Sequence, residues 1–163
     1  MNNADVDLQL TQCRTELDHV QTIINTFGIT SPVTPYLTKY AVIRACGSIE
    51  VSFKALVADF CSKKSKKQVK RFIHMKIRKG SANPSQENIM NILNSFDENW
   101  KKNFKSNLKS DPQKQQIVVS LQSLVDARNE FAHGGSPTLS IADVLSHFDR
   151  ARRVVEHVDA IIL

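Results

Sequence analysis

The chain contains no apolar run approaching the ~20 residues that a membrane-crossing helix needs. Its polar opening, Met1-Asn2-Asn3-Ala4-Asp5, has neither the cationic start nor the apolar core of an export signal. A cytoplasmic protein with no membrane partner is therefore expected. Cysteine is scarce as well: Cys13, Cys46 and Cys61 form an odd set at wide spacings with no C-x-x-C pair, which argues against a disulfide framework. Cys46 and Cys61 fall in or near apolar helical stripes and read as reduced, packed thiols. Cys13 reads the same way, because only Arg14 beside it would favour a thiolate. The five histidines include no H-x-x-x-H pair and no neighbouring cysteines or carboxylates at ligand spacing, so neither a metal nor a cofactor is expected. No segment alternates like a strand and none repeats.

What is present is helical periodicity. At 163 residues the chain is long enough to bury a sizeable core as one domain, residues 1–163. From Val6 to Phe27, Leu10, Cys13, Leu17, Val20 and Ile24 recur at helical spacing, with Gly28 as a stop. From Tyr36 to Phe60, Val42, Cys46, Ile49, Phe53, Leu56 and Phe60 alternate by four and three, the pattern of a bundle seam. A third helix over the basic segment would turn Val69, Phe72, Ile73 and Ile77 to one side before Gly80 ends it. Pro84-Ser85 introduces a helix with Ile89, Leu93 and Phe96, and a piece with Trp100, Phe104 and Leu108 either continues it or turns away at Phe96-Asp97. Asp111-Pro112 reads as an N-cap followed by proline at the first helical position. After Gly134-Gly135-Ser136-Pro137, Ser140 with Asp143 starts one last helix through Ile141, Val144, Leu145, Phe148, Val155, Val158 and Ile162. The fold class is all-α, an antiparallel bundle of five to seven helices.

The charge is concentrated. Between Lys63 and Lys79 lie nine cations and no acid, more than the whole net charge of +6. Solvated helices usually interleave acids as i,i+4 pairs. Their complete absence here points to phosphate contacts by Lys66, Lys67, Lys70 and Arg71 and to RNA as partner, and a lysine-rich solvated surface is the plainer alternative. Nothing resembles a helix-turn-helix, so a DNA-binding regulator has little support.

One position breaks the pattern. The stripe Ile117, Leu121, Leu124 continues to Arg128 and then Phe131, so a permanently charged guanidinium occupies a core register five residues before His133-Gly134-Gly135. Such a charge is costly unless it is matched. A structural ion pair with Glu50 would match it, leaving His133 as a favourable cation at a helix C-terminus. A bound phosphate would match it equally well. Positions 128 and 133 diverge by ~140° around an ideal helix, so two helix ends meeting across a two-fold axis would combine them better than one.

Arg128-Asn129-Glu130-Phe131-Ala132-His133-Gly134 resembles the R-x4-H signature of HEPN ribonucleases, in which asparagine often follows the arginine and an apolar-Ala-His-Gly ending is common. Arg44-Ala45-Cys46-Gly47-Ser48-Ile49-Glu50 is similar to the G-x-[apolar]-E pattern of the RiboL-PSP-HEPN branch, and the helix order is similar over most of the chain. The resemblance implies a HEPN-like helical domain that dimerises with its motifs facing each other, and an endoribonuclease that cuts RNA without a metal. It also implies a toxin-antitoxin or antiviral role with an antitoxin or regulatory partner. Arg128 and His133 would be catalytic, and Asn129 would support them by orienting a phosphate oxygen or the histidine. Glu50, on a seam with Ile43 and Val57, would orient Arg128. The competing reading is a non-catalytic helical module that binds RNA or protein, with Arg128 and His133 as a structural pair.

Overall fold

Asn3 begins the first helix by accepting the Val6 N–H on its side chain at 3.1 Å, and α1 (Ala4–Phe27) then buries Val6, Leu10, Cys13, Leu17, Val20 and Ile24 along one face. That face packs on α2 (Thr34–Ser62), which also meets α6, α7 and α8 and is the central post of the bundle. In this computed structural model residues 1–136 and 138–162 are described, and they contain helices and no strand. The remaining elements are α3 (Lys67–Ile73), continued by a π-helical turn over His74–Arg78, α4 (Gln86–Phe96), α5 (Glu98–Ser110), α6 (Lys114–Ala132), α7 (Ile141–Ala151) and α8 (Arg153–Ile161). Pro137 of the predicted loop lies outside the described residues. Fully buried Phe53, Phe104 and Phe148 come from α2, α5 and α7, so one core joins distant parts of the sequence. Truncating such a phenylalanine costs ~3–5 kcal/mol.

Four local outcomes differ from the sequence expectation or decide it. The chain turns away at Asp97, whose side chain accepts the Asn99 N–H at 2.7 Å, so α4 and α5 are separate and buried Trp100 meets the ring of Phe60 edge to face, Phe60 itself lying exposed at the end of the α2 seam. Pro112 is not the first helical residue. Asp111 Oδ1 accepts the Gln113 N–H at 2.8 Å and its carbonyl accepts the Lys114 N–H at 3.0 Å, a turn that delays α6 to Lys114.

The last helix is two. At Arg152 the ladder tightens to an i+3 bond from the Val155 N–H at 2.9 Å, which lets α7 keep its apolar face on α6 while α8 redirects its own onto α5. The capping box at its start, Ser140 with Asp143, forms as expected. Finally, the basic helix buries only part of its expected side. Ile73 is buried and Ile77 half-buried, whereas Val69 and Phe72 face solvent, because among the described residues this short segment packs chiefly against α2 and no helix covers its outer side.

Candidate active site

The motif sits where α6 ends beside the first half of α2. Ile117, Leu121 and Leu124 are fully buried, and the stripe then reaches Arg128, which is half-buried. Among the described residues the guanidinium has no carboxylate partner; its Nη1 donates to Asn129 Oδ1 at 3.3 Å. The expected Glu50–Arg128 pair is not made. Glu50 pairs instead with Lys54, one turn on, whose side chain is only 3% exposed and also donates to the Gly80 carbonyl at 2.7 Å. A buried ammonium needs both partners, so the carboxylate is spoken for by its own helix and ties α2 to the end of the basic segment.

Arg128 still lies close to α2. Burial pushes the Cys46 thiol up to about 12, against the pull of the nearby Arg128 charge. Cys46 is therefore a protonated packing residue at neutral pH, in keeping with three free cysteines.

The two glycines after His133 explain how the helix stops. His133 is the C-cap, at φ −93° and ψ 14°. Gly134 adopts φ +85°, the Gly134 N–H bonds the Phe131 carbonyl at 3.0 Å, and the Gly135 N–H bonds the Glu130 carbonyl at 2.8 Å. That pair of bonds is a Schellman motif, which needs a residue free to take positive φ. Its consequence is positional: His133 leaves the helical path and presents its ring to solvent.

One residue the sequence did not single out joins the site from α2. Lys39 Nζ lies 5.5 Å from the centroid of the Phe131 ring and donates to Ser136 Oγ at 3.1 Å. Arg128, Lys39 and His133 thus supply a guanidinium, an ammonium and an exposed imidazole around one helix end. Helix α2 also carries an exposed stripe of Tyr36, Tyr40, Ile43 and Val51 at helical spacing, of which Tyr40 donates to Glu16 of α1. The basic residues Lys66, Lys67, Lys70 and Arg71 are all exposed, on the segment anchored through Lys54.

With this helical order and motif in place, the comparison with known families decides membership. The chain matches the RiboL-PSP-HEPN family over residues 9–163. It belongs to that family. No curated protein and no solved structure gives a significant match. Family membership accounts for the helical fold of the domain. Among the described residues no helix is long and apolar enough to cross a membrane.

Proposed function

We propose that this HEPN domain is a metal-independent endoribonuclease working as a homodimer. The observation that carries the reading is Arg128: a half-buried guanidinium on a core stripe, without a carboxylate among the described residues, five residues before an exposed histidine at the helix end. In the proposed reaction the RNA 2′-hydroxyl attacks the adjacent phosphorus. The 2′-O–P bond forms, the P–O5′ bond breaks, and the chain is left as a 2′,3′-cyclic phosphate and a 5′-hydroxyl. Histidine, which titrates near neutral pH, is suited to remove the 2′-hydroxyl proton and to deliver one to the departing 5′-oxygen; two protomers would bring one His133 for each task. Arg128 would hold the phosphate as its charge rises, through paired hydrogen bonds from a planar donor. Asn129, already bonded to Arg128, would orient that donor. Glu50 would contribute at one remove, by holding Lys54 and with it the base of the basic segment.

Lys66, Lys67, Lys70 and Arg71 would attract the RNA backbone. The exposed α2 stripe would be covered in the dimer. The family resemblance of the motif suits a cytoplasmic toxin-antitoxin or antiviral defence role, with an antitoxin or regulatory protein restraining the activity. The test is incubation of purified protein with labelled RNA, an all-deoxy strand and a strand with one 2′-deoxy residue, all in excess EDTA. RNA should be cut to cyclic-phosphate or 3′-phosphate ends and the deoxy linkages should survive. Cleavage of the deoxy linkages would overturn the 2′-hydroxyl mechanism, and no cleavage of any RNA would leave a binding module.

A further inference from the structure

At the opposite end of α6 from the motif lies a second concentration of positive charge that the RNA-cutting reading does not use. Lys114, the first residue of α6, is 14 positions before Arg128, roughly 21 Å along an ideal helix. Lys102, Lys105 and Lys109 follow one another at three- and four-residue spacing, so they share one face of α5. These four lysines line a cavity of about 510 Å³ together with Gln86, Ser106 and Leu108. No carboxylate is among the lining residues. Lys102 meets Glu98 at 3.4 Å, with both side chains more than two-thirds exposed, a contact that neutralises little in water. Asp111, two residues after Lys109, is buried and occupied by Arg153 and His157, and Glu87, which follows Gln86, is not among the lining residues.

Four ammonium groups around one concavity repel each other and raise the local potential for anions. The first residues of α4 and α6, Gln86 and Lys114, both border the cavity, which places it near the starts of two helices. The size suits a small ligand. The lining selects its kind: with one leucine and no aromatic ring it offers no surface on which a nucleobase would stack, and its polar groups are dominated by ammonium charges. Single exposed ion pairs are weak, so recognition must come from several negative charges engaged together.

We propose that this cavity is a binding site for an oligophosphate group, recognised by the charge of its phosphate chain and not by any attached base. The group could be carried by a free nucleoside triphosphate or by the 5′-triphosphate end of an RNA. Binding there would be independent of Arg128 and His133.

The experiment is calorimetric titration of the full-length chain at fixed, near-physiological ionic strength with inorganic tripolyphosphate, ATP, GTP and AMP. Tripolyphosphate, ATP and GTP should saturate with affinities within about threefold of one another, and AMP should bind at least tenfold more weakly. Lys105→Gln/Lys109→Gln should lose tenfold or more for tripolyphosphate, while the equally charge-reducing Lys76→Gln/Lys79→Gln should lose less than threefold; melting curves establish that both fold. Short RNAs with a 5′-triphosphate or a 5′-hydroxyl distinguish the sources: a pocket-dependent preference for the triphosphate end assigns the site to RNA termini, and its absence beside tight ATP binding assigns it to free nucleotides. Absence of saturable tripolyphosphate binding, AMP binding as tight as ATP, or equal loss in the two double variants would each overturn the proposal. Because the readout is binding, Arg128→Ala should leave it unchanged whether or not the domain cuts RNA.

Discussion

Arg128 carries the functional argument at the scale of single residues, and its surroundings separate a structural role from a catalytic one. Had Glu50 neutralised it, truncation would strand a carboxylate and cost ~3–5 kcal/mol. Glu50 is paired with Lys54 instead, so removing the arginine strands nothing comparable. Arg128→Ala is therefore expected to melt within a few degrees of the parent or higher, and His133→Ala likewise, since its ring is exposed. Both should lose about two orders of magnitude or more of RNA cleavage, the scale on which a proton-transfer group or a charge-stabilising donor acts. Paired melting curves and cleavage assays check this, and an unfolded Arg128→Ala with a fully active His133→Ala would restore the structural role. The arginine out of register was legible in the sequence. The diversion of Glu50 away from it was not, because Glu50 has Lys54 at i+4 on its own helix and periodicity alone does not say which cation an acid takes.

Among the elements, the turn between α5 and α6 and the basic segment make separate commitments. Asp111 joins that turn to α8: its carboxylate accepts from the Gln113 N–H at 2.8 Å, Arg153 Nη2 at 2.8 Å and His157 Nε2 at 2.9 Å. Burial would raise its pKa, but those hydrogen bonds and the Arg153 charge outweigh it and hold the carboxyl below the usual carboxylate range. An acid with a depressed folded pKa contributes stability that is complete above its unfolded pKa and lost as pH falls through the folded one. The Asp111 contribution should thus persist through neutral and weakly acid solution and disappear only below the ordinary carboxylate range. Asp111→Asn should lower the melting temperature by several degrees at pH 7, for ~2 kcal/mol with partners partly in water, and the gap should close in strong acid. Urea melts of the two proteins across pH measure it. In the basic segment, replacing Lys66, Lys67, Lys70 and Arg71 by Gln should weaken RNA binding and flatten its salt dependence, with the fold kept, because all four are exposed. Unchanged affinity and salt slope would reduce the segment to a solvated surface.

For the whole molecule the prediction is assembly. Tyr36, Tyr40, Ile43 and Val51 are exposed at helical spacing on α2, the helix that also carries Lys39 to the motif, and one His133 per chain supplies one of the two proton transfers proposed. The protein should sediment as a dimer at micromolar concentration, and Ile43→Glu should shift it toward monomer with cleavage falling in parallel. A monomer that cuts RNA at full rate would refute the shared site.

The all-α class, the bundle seam of α2, the capping box at Ser140 and the odd register of Arg128 followed from sequence alone. Each rests on spacing along one helix or on contacts a few residues apart, and local geometry determines those. The tertiary structure decided what spacing cannot encode. It divided the last helix at Arg152, because two halves of one periodic stripe found different neighbours in α6 and α5. It left Val69 and Phe72 in water, because an apolar face is buried only where a partner covers it. It brought Lys39 to Phe131 and gathered four lysines around one cavity, pairing charges by position in space, which a single chain's periodicity leaves undetermined.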